Sequence, residues 1–261
     1  MSKQETPKAG NEKVVGEKVH RNDIYGDIEN KDADAAPPAI PAATVVLLRE
    51  GADNDSVEVL MLQKNKNISF GGMWVFPGGK IDAEDYGDDG ELQGAALTAA
   101  SRETEEETGI KAASHEFIYF AHWTPPPGTP KRFTTWFFIT DVKHDEVVEV
   151  DGGEILKHRW VSPEEALVHH GEGKIDLAPP TWITLYQLTL HGGLNNTLEF
   201  FRNSDSKIYE TRVAKSSAGQ RVAMWHGDAG YESWDSDVSG ERHRLVMSEG
   251  GFNFENTVEV Y

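Results

Sequence analysis

The chain has 261 residues, with 44 acidic against 25 basic side chains and a formal net charge of −19. That length gives room for one domain of average size with appendages, and the acidity argues against nonspecific binding to nucleic acid or anionic membranes. There is no cysteine, which excludes disulfides, thiolate catalysis and zinc-thiolate sites.

Residues 1–38 are rich in Lys, Glu, Asp, Asn and Gly and end in Ala35-Ala36-Pro37-Pro38, the composition of a disordered tail. Within it Val14, Val15 and Val19 are the residues that would seed a short helix, but a tail is expected. The N-terminus lacks the apolar core of a signal peptide, and no apolar run approaches the roughly 18–20 residues of a membrane span. A cytoplasmic protein without membrane contact is therefore expected.

Residues 39–194 alternate strand and helix patterns. Ala43-Thr44-Val45-Val46-Leu47-Leu48 reads as a buried strand, Gly51-Ala52-Asp53-Asn54-Asp55 as a turn and Val57-Glu58-Val59-Leu60-Met61-Leu62 as its returning partner. Met73 to Phe76 is a short strand that enters a glycine turn at Gly78 and Gly79. A helix is predicted from about Glu91 to Thr108, capped by Gly109, with Ala95, Ala96, Ala99 and Ala100 allowing close approach to the sheet. Strands follow at 117–123 and 133–139, joined by the proline-rich Thr124-Pro125-Pro126-Pro127-Gly128-Thr129-Pro130, and again at 155–161. Ser162-Pro163-Glu164-Glu165 is a helix start with Ser at the cap and Pro at the first helical position. A further helix is predicted over 181–190. Residues 195–261 read as a small β appendage, with short strands at 209–213, 221–225, 244–247 and 252–254. His226, Asp228, Asp237 and His243 there match no metal spacing and read as scattered surface polar residues.

The chemistry lies in Arg102-Glu103-Thr104-Glu105-Glu106-Glu107-Thr108-Gly109-Ile110, behind Phe76-Pro77-Gly78-Gly79. On a helix Glu103, Glu106 and Glu107 project from one side and Glu105 points away. Three like charges on one face repel, and a hard divalent cation with oxygen ligands compensates them; Mg²⁺ binds through a few carboxylates together with substrate phosphates. Arg102 stands four residues before Glu106 and is expected to orient the carboxylates through a salt bridge.

This run resembles the Nudix box, in which a glycine, an outlying glutamate and the sequence Arg-Glu-apolar-x-Glu-Glu-x-Gly-apolar follow in order. Gly79, Arg102-Glu103, Glu106-Glu107 and Gly109-Ile110 fit. Thr104 takes a usually apolar position, and Asp85-Tyr86-Gly87-Asp88-Asp89-Gly90 looks like an insertion that lengthens the box. Glu84 and Asp85, five and six residues after Gly79, both qualify as the outlying carboxylate, with Glu84 the first choice.

The resemblance implies an α/β (α+β) Nudix fold, a mixed sheet sandwiched between helices, and an enzyme that splits the pyrophosphate bond of a nucleoside diphosphate linked to another group. It implies Mg²⁺ or Mn²⁺ held by Glu103, Glu106, Glu107 and Glu84, with Glu106 and Glu103 catalytic and Glu154 the candidate for a general base from a later loop. Gly78 and Gly79 would let the backbone approach metal or phosphate. Arg132, after the proline loop, is a candidate phosphate partner. Trp123 and Trp136 are weaker ones, because strand aromatics usually pack in the core. The Phe-Pro-Gly-Gly start, the lengthened box, Arg132-Phe133-Thr134-Thr135 and Leu177-Ala178-Pro179-Pro180-Thr181 are similar to a branch that includes coenzyme A diphosphatases. Coenzyme A or acyl-CoA is thus the leading substrate. ADP-ribose and other nucleoside diphosphate sugars follow, then nucleoside triphosphates. A non-catalytic nucleotide sensor is the alternative, against which the three retained box glutamates argue. Long RNA does not fit a chain without a basic stripe. A homodimer is an open expectation.

Overall fold

The computed structural model describes residues 18–26, 28, 36, 38–53, 55–68 and 70–261. Its centre is β1 (Ile40–Glu50), a strand apolar on both faces and buried on both. β2 (Val57–Lys64) returns antiparallel from it, β3 (Trp74–Val75) pairs with β2, and β4 (Gly78–Lys80) pairs with β1. α1 (Leu92–Thr108) crosses one face of the sheet, and β5 (Ile118–Thr124) and β6 (Phe133–Asp141) form the next antiparallel pair. β6 runs parallel to β1, and β7 (Ile155–Val161) adds to β2. α2 (Pro163–Gly171), α3 (Pro179–Leu188) and α4 (Leu194–Asn203) follow, and β8 (Lys207–Glu210) extends the sheet by running parallel to β5. The order is β3-β2-β1-β6-β5-β8, a mixed sheet.

Strand alternation divides the core. Ala43, Val45 and Leu47 of β1, with Leu60, Leu62 and Phe138, pack on the small face of α1 formed by Ala96, Ala99 and Ala100. Val46 and Leu48 point the other way, toward Ala166 of α2, Ile183, Leu185 and Leu188 of α3, and Leu198 and Phe201 of α4. Gly109 caps α1 at φ +73°, donating its N–H to the Glu105 carbonyl at 2.8 Å, and the Ser162 Oγ accepts the Glu165 N–H at 3.2 Å at the start of α2; both ends follow the sequence expectation.

Three features differ from it. The glycine turn is itself a strand edge, with Gly79 opposite Ala43. The stretch after residue 194 opens with helix α4, whose apolar Leu194, Leu198 and Phe201 stand at helical spacing. The expected disordered tail is a packed strap over residues 18–26. The Arg21 guanidinium donates to the His170 carbonyl at 2.7 Å, and the Asn22 side chain to the Ser248 and Glu249 carbonyls at 2.9 and 3.0 Å. Asp23 pairs with buried Arg221 at 3.3 Å, and Tyr25 enters the core. A few specific side chains anchor this stretch, which a composition averaged over 38 residues conceals. Val14 and Val15 lie outside the described residues, and Val19 is exposed.

A second sheet, in the order β12-β11-β10-β9, is built by β9 (Arg212–Lys215), β10 (Arg221–Met224), β11 (His243–Ser248) and β12 (Gly251–Asn256). It shares the core of the first. Trp123 of β5 stacks on Tyr209 of β8 with ring centres 3.7 Å apart, and Trp225 closes edge-on against both. Trp123 is therefore core. Asp228 and His243 are buried rather than scattered on the surface. Asp228 takes both prongs of Arg244 at 2.6 and 2.5 Å and accepts the backbone N–H groups of His243 and Gly230. Among the described residues no helix is long and apolar enough to cross a membrane.

Burial alone would raise the Asp228 carboxyl; Arg244 and the two backbone donors outweigh it and hold the group below its ordinary value. The stabilisation is complete above the unfolded value of roughly 4 and is lost as pH falls through the lower folded value. Asp228→Asn, which leaves Arg244 buried without a counter-charge, should cost about 3–5 kcal/mol. Urea denaturation at pH 7 would measure it, and the penalty should shrink as the pH is taken below about 4.

Candidate active site

The site is built where β4 meets the last two turns of α1. Gly78 and Gly79 lie flat against β1, and neither position has room for a side chain. A Cβ at Gly79 would overlap the Glu103 carboxylate, and one at Gly78, where φ is +155°, would overlap the Ala43 carbonyl. The close approach lets the Gly78 N–H donate to the Glu107 Oε2 at 2.9 Å. The glycines thus set the position of two of the three carboxylates.

Arg102 sets the rest. Its Nε and Nη2 form a two-pronged pair with Asp85 at 2.9 and 2.8 Å, and Nη2 also reaches the Lys80 carbonyl at 3.1 Å. Nη1 holds Glu103 at 2.9 Å and Glu106 at 3.4 Å. The expected contact with Glu106 is present, but Asp85 is the principal anchor. Asp85 is in turn fixed by closing a 3₁₀ turn over Ala83–Asp85, accepting the Asp82 N–H at 2.8 Å. Glu84, the first choice from sequence for the outlying metal ligand, is exposed on that turn, and the oxygens of Asp85 are engaged by Arg102. The lengthened loop therefore delivers its carboxylate to the arginine. Thr104, at the usually apolar position, is fully buried and donates its hydroxyl to the Ala100 carbonyl at 2.7 Å, so its polar atom costs little.

Glu103 is largely buried, Glu107 buried and Glu106 exposed. Burial pushes the Glu107 carboxyl up to about 7, against the pull of the Gly78 N–H and the Lys64 ammonium; Glu103 and Glu154 push it further up. Burial also raises Glu103, opposed by Arg102 and aided by Glu106. The candidate base Glu154 thus comes within electrostatic reach of the box. It sits in a tight loop in which the Asp151 carboxylate accepts the N–H groups of Gly153, Glu154 and Ile155 at 3.1, 2.8 and 2.8 Å. The Glu154 carbonyl accepts from Asn65 at the end of β2.

Lys64 was not foreseen. Its charge acts on both Glu103 and Glu107, and the signal for it was present in β2. Leu60 and Leu62 face α1, so two residues on Lys64 must face it as well. Arg132 stands at the head of β6 with its guanidinium on the Pro125 carbonyl at 3.4 Å.

A profile of the NUDIX domain matches residues 38–181, more than half of the chain. The chain belongs to the Nudix family. Phosphatase NudJ of Escherichia coli K12 is 32% identical over 95 residues, which cover 36% of this chain and 55% of that protein. The Shigella flexneri protein of the same name matches to the same extent. The chain thus spans about half the length of the curated relatives it matches. A Nudix hydrolase structure from Alicyclobacillus acidocaldarius superposes with a TM-score of 0.56 at 23% identity, over 66% of this chain and 99% of that one, a likeness of fold.

Nudix proteins generally use divalent metal ions, and the donor set here suits one. Glu103, Glu106 and Glu107 offer hard oxygen ligands, and burial raises two of them, Glu103 and Glu107, against the pull of Arg102 and Lys64. Among the described residues no three acidic or histidine side chains converge into a ready cage. Mg²⁺ binds through one or two carboxylates plus substrate phosphates and keeps its waters, so an all-protein cage is not required. Gly79→Ala, which displaces Glu103, should weaken Mn²⁺ binding at least about tenfold in a titration read by electron paramagnetic resonance. Gly87→Ala on the exposed loop should leave it unchanged.

Proposed function

We propose that this Nudix protein hydrolyses the pyrophosphate bond of a nucleoside diphosphate joined to a second group. The observation that carries the reading is the group of three box carboxylates on one helix face, two of them, Glu103 and Glu107, raised by burial, held by Arg102, Gly78 and Gly79 beside the Lys64 ammonium. Coenzyme A or acyl-CoA is the first substrate to test, on the strength of the lengthened box and its flanking motifs. ADP-ribose and related nucleoside diphosphate sugars come second.

Glu103, Glu106 and Glu107 would hold Mg²⁺ or Mn²⁺. When bound, the cation supplies Lewis acidity toward the phosphate oxygens and the attacking water. Around it, Arg102 keeps Glu103 and Glu106 in one orientation, the Gly78 N–H fixes Glu107, and Lys64 adds positive charge for the phosphates. Glu154, an exposed acid on the β7 side of the box, would take a proton from water entering from solvent, a role supported by its exposure and its charge coupling to Glu107. Arg132 is kept as a phosphate-binding candidate at the mouth of the proline loop, and a homodimer as an assembly to test by light scattering.

The test is a screen of coenzyme A, ADP-ribose, sugar nucleotides and nucleoside triphosphates with Mg²⁺ or Mn²⁺, read by coupled phosphate release. Glu106→Gln should lower kcat by at least about a hundredfold, as loss of an electrostatic group at the reacting centre does, and chelation of the metal should abolish turnover. Absence of turnover on all four classes, with nucleotide binding retained, would overturn the reading in favour of a sensor. Lys64→Met should raise KM or lower kcat by roughly tenfold while leaving Tm within a few degrees, because its ammonium makes no close ion pair among the described residues.

A further inference from the structure

One row of residues crosses four strands beside the carboxylates. Gly79 of β4 lies opposite Ala43 of β1, Ala43 beside Trp136 of β6, and Trp136 opposite His122 of β5. Residues paired across a ladder share a face. Ala43 and Trp136 both pack on the α1 side, the side on which Glu103 lies over Gly79. At roughly 4.8 Å per strand, Trp136 stands about 10 Å and His122 about 14 Å from Gly79.

Three rings cluster at the far end of this row. Trp136 lies 4.8 Å from Tyr119 and 5.1 Å from His122, centre to centre, at interplanar angles of 40° and 39°. Tyr119 and His122 are three residues apart, a spacing that puts side chains on opposite faces of a regular strand. β5 breaks register between Tyr119 and Ala121, and this bulge takes up the odd residue so that both rings flank Trp136. Bulges of this kind re-aim side chains beside functional sites.

The cluster is not ordinary core. All three residues are only half-buried, unlike Trp123 on the opposite face; the indole N–H groups of both tryptophans lack an acceptor among the described residues, so exposure is what sets the cluster apart. His122 Nε2 is engaged by the Thr134 hydroxyl at 2.9 Å, itself 3.0 Å from the Thr124 hydroxyl. Burial keeps this imidazole below its ordinary value, hence neutral at pH 7. The charged partners Lys64 and Glu154 lie on the other side of β4, toward β2 and β7. The site is thus polar and charged at one end and aromatic at the other.

We propose that Trp136, flanked by Tyr119 and His122, is the stacking platform for the planar base of the substrate, with its phosphates over Glu103, Glu106 and Glu107. This rests on the reading of the carboxylates as a phosphate site and adds the orientation in which a nucleotide lies across the sheet. Stacking on one aromatic ring is tolerant of base identity and is worth roughly 5- to 150-fold in affinity. The neutral His122 and the Thr134 hydroxyl would add edge contacts to the base.

Calorimetry with Mg²⁺ on the full chain, comparing AMP with ribose 5-phosphate, tests the platform without requiring turnover. AMP should bind at least fivefold tighter than ribose 5-phosphate. Trp136→Ala should bring the two within twofold, and Trp136→Phe should restore most of the difference. If Trp136→Ala melts early, Trp136→Leu, which keeps apolar volume without an aromatic face, should give the same loss. An AMP advantage that survives in Trp136→Leu, or none in the unmodified chain, overturns the proposal. The failures are separable. Base-dependent AMP binding with no hydrolysis of any substrate would sink the hydrolase reading alone. Turnover with KM unchanged in Trp136→Leu would sink the platform alone.

Discussion

A single guanidinium holds the site together. Three glutamates within five residues would splay or protonate if nothing bridged them, and Arg102 bridges two of them while its other edge is locked on Asp85. The geometry needs a planar fork with donors on two edges, which a lysine ammonium cannot offer. Because Asp85 lies on a turn seven residues before α1 begins, the same contact ties the loop to the helix. The glycine strand completes the frame from below, where the absence of two side chains lets Gly78 and Glu103 occupy the space.

The mixed sheet turns this local arrangement into a site with two ends. β1 has β4 on one side and β6 on the other, so that one pleat row runs from the carboxylate cluster to the aromatic cluster. The opposite face carries none of this chemistry. It is closed by α2, α3 and α4 and by the Trp123, Tyr209 and Trp225 stack. Both faces are packed cores built on the same strands, and only the one under α1 also carries the candidate site.

Much of this was legible in the chain. The box helix, its Gly109 cap, the Ser162 start and strand β7 follow from spacing and capping chemistry, because those signals are local. The misses were non-local or averaged away. Arg102 has its nominal partner four residues on at Glu106, but the stronger contact with Asp85 comes from a loop seventeen residues back. The 3₁₀ turn over Ala83–Asp85 buries Asp85 against Arg102 and leaves Glu84 exposed, a difference that two adjacent acidic residues do not announce. α4 was overlooked because the polar Asn195 and Asn196 outweighed the helical spacing of Leu194, Leu198 and Phe201. The bulge in β5 could not be read from residue types at all, since it appears only as a slip against β6.

The strap over residues 18–26 carries a consequence for the order in which the contacts of the fold can close. Asn22 bonds across 226 residues to Ser248, and Asp23 across 198 to Arg221. Loops of that span are closed late, because their entropy must be offset by contacts already in place. The strap can therefore be seated only once the strands that carry Arg221 and Ser248 are in place. The contacts of the carboxylate frame fall within residues 43–154, so the site does not draw on the strap for any of its groups.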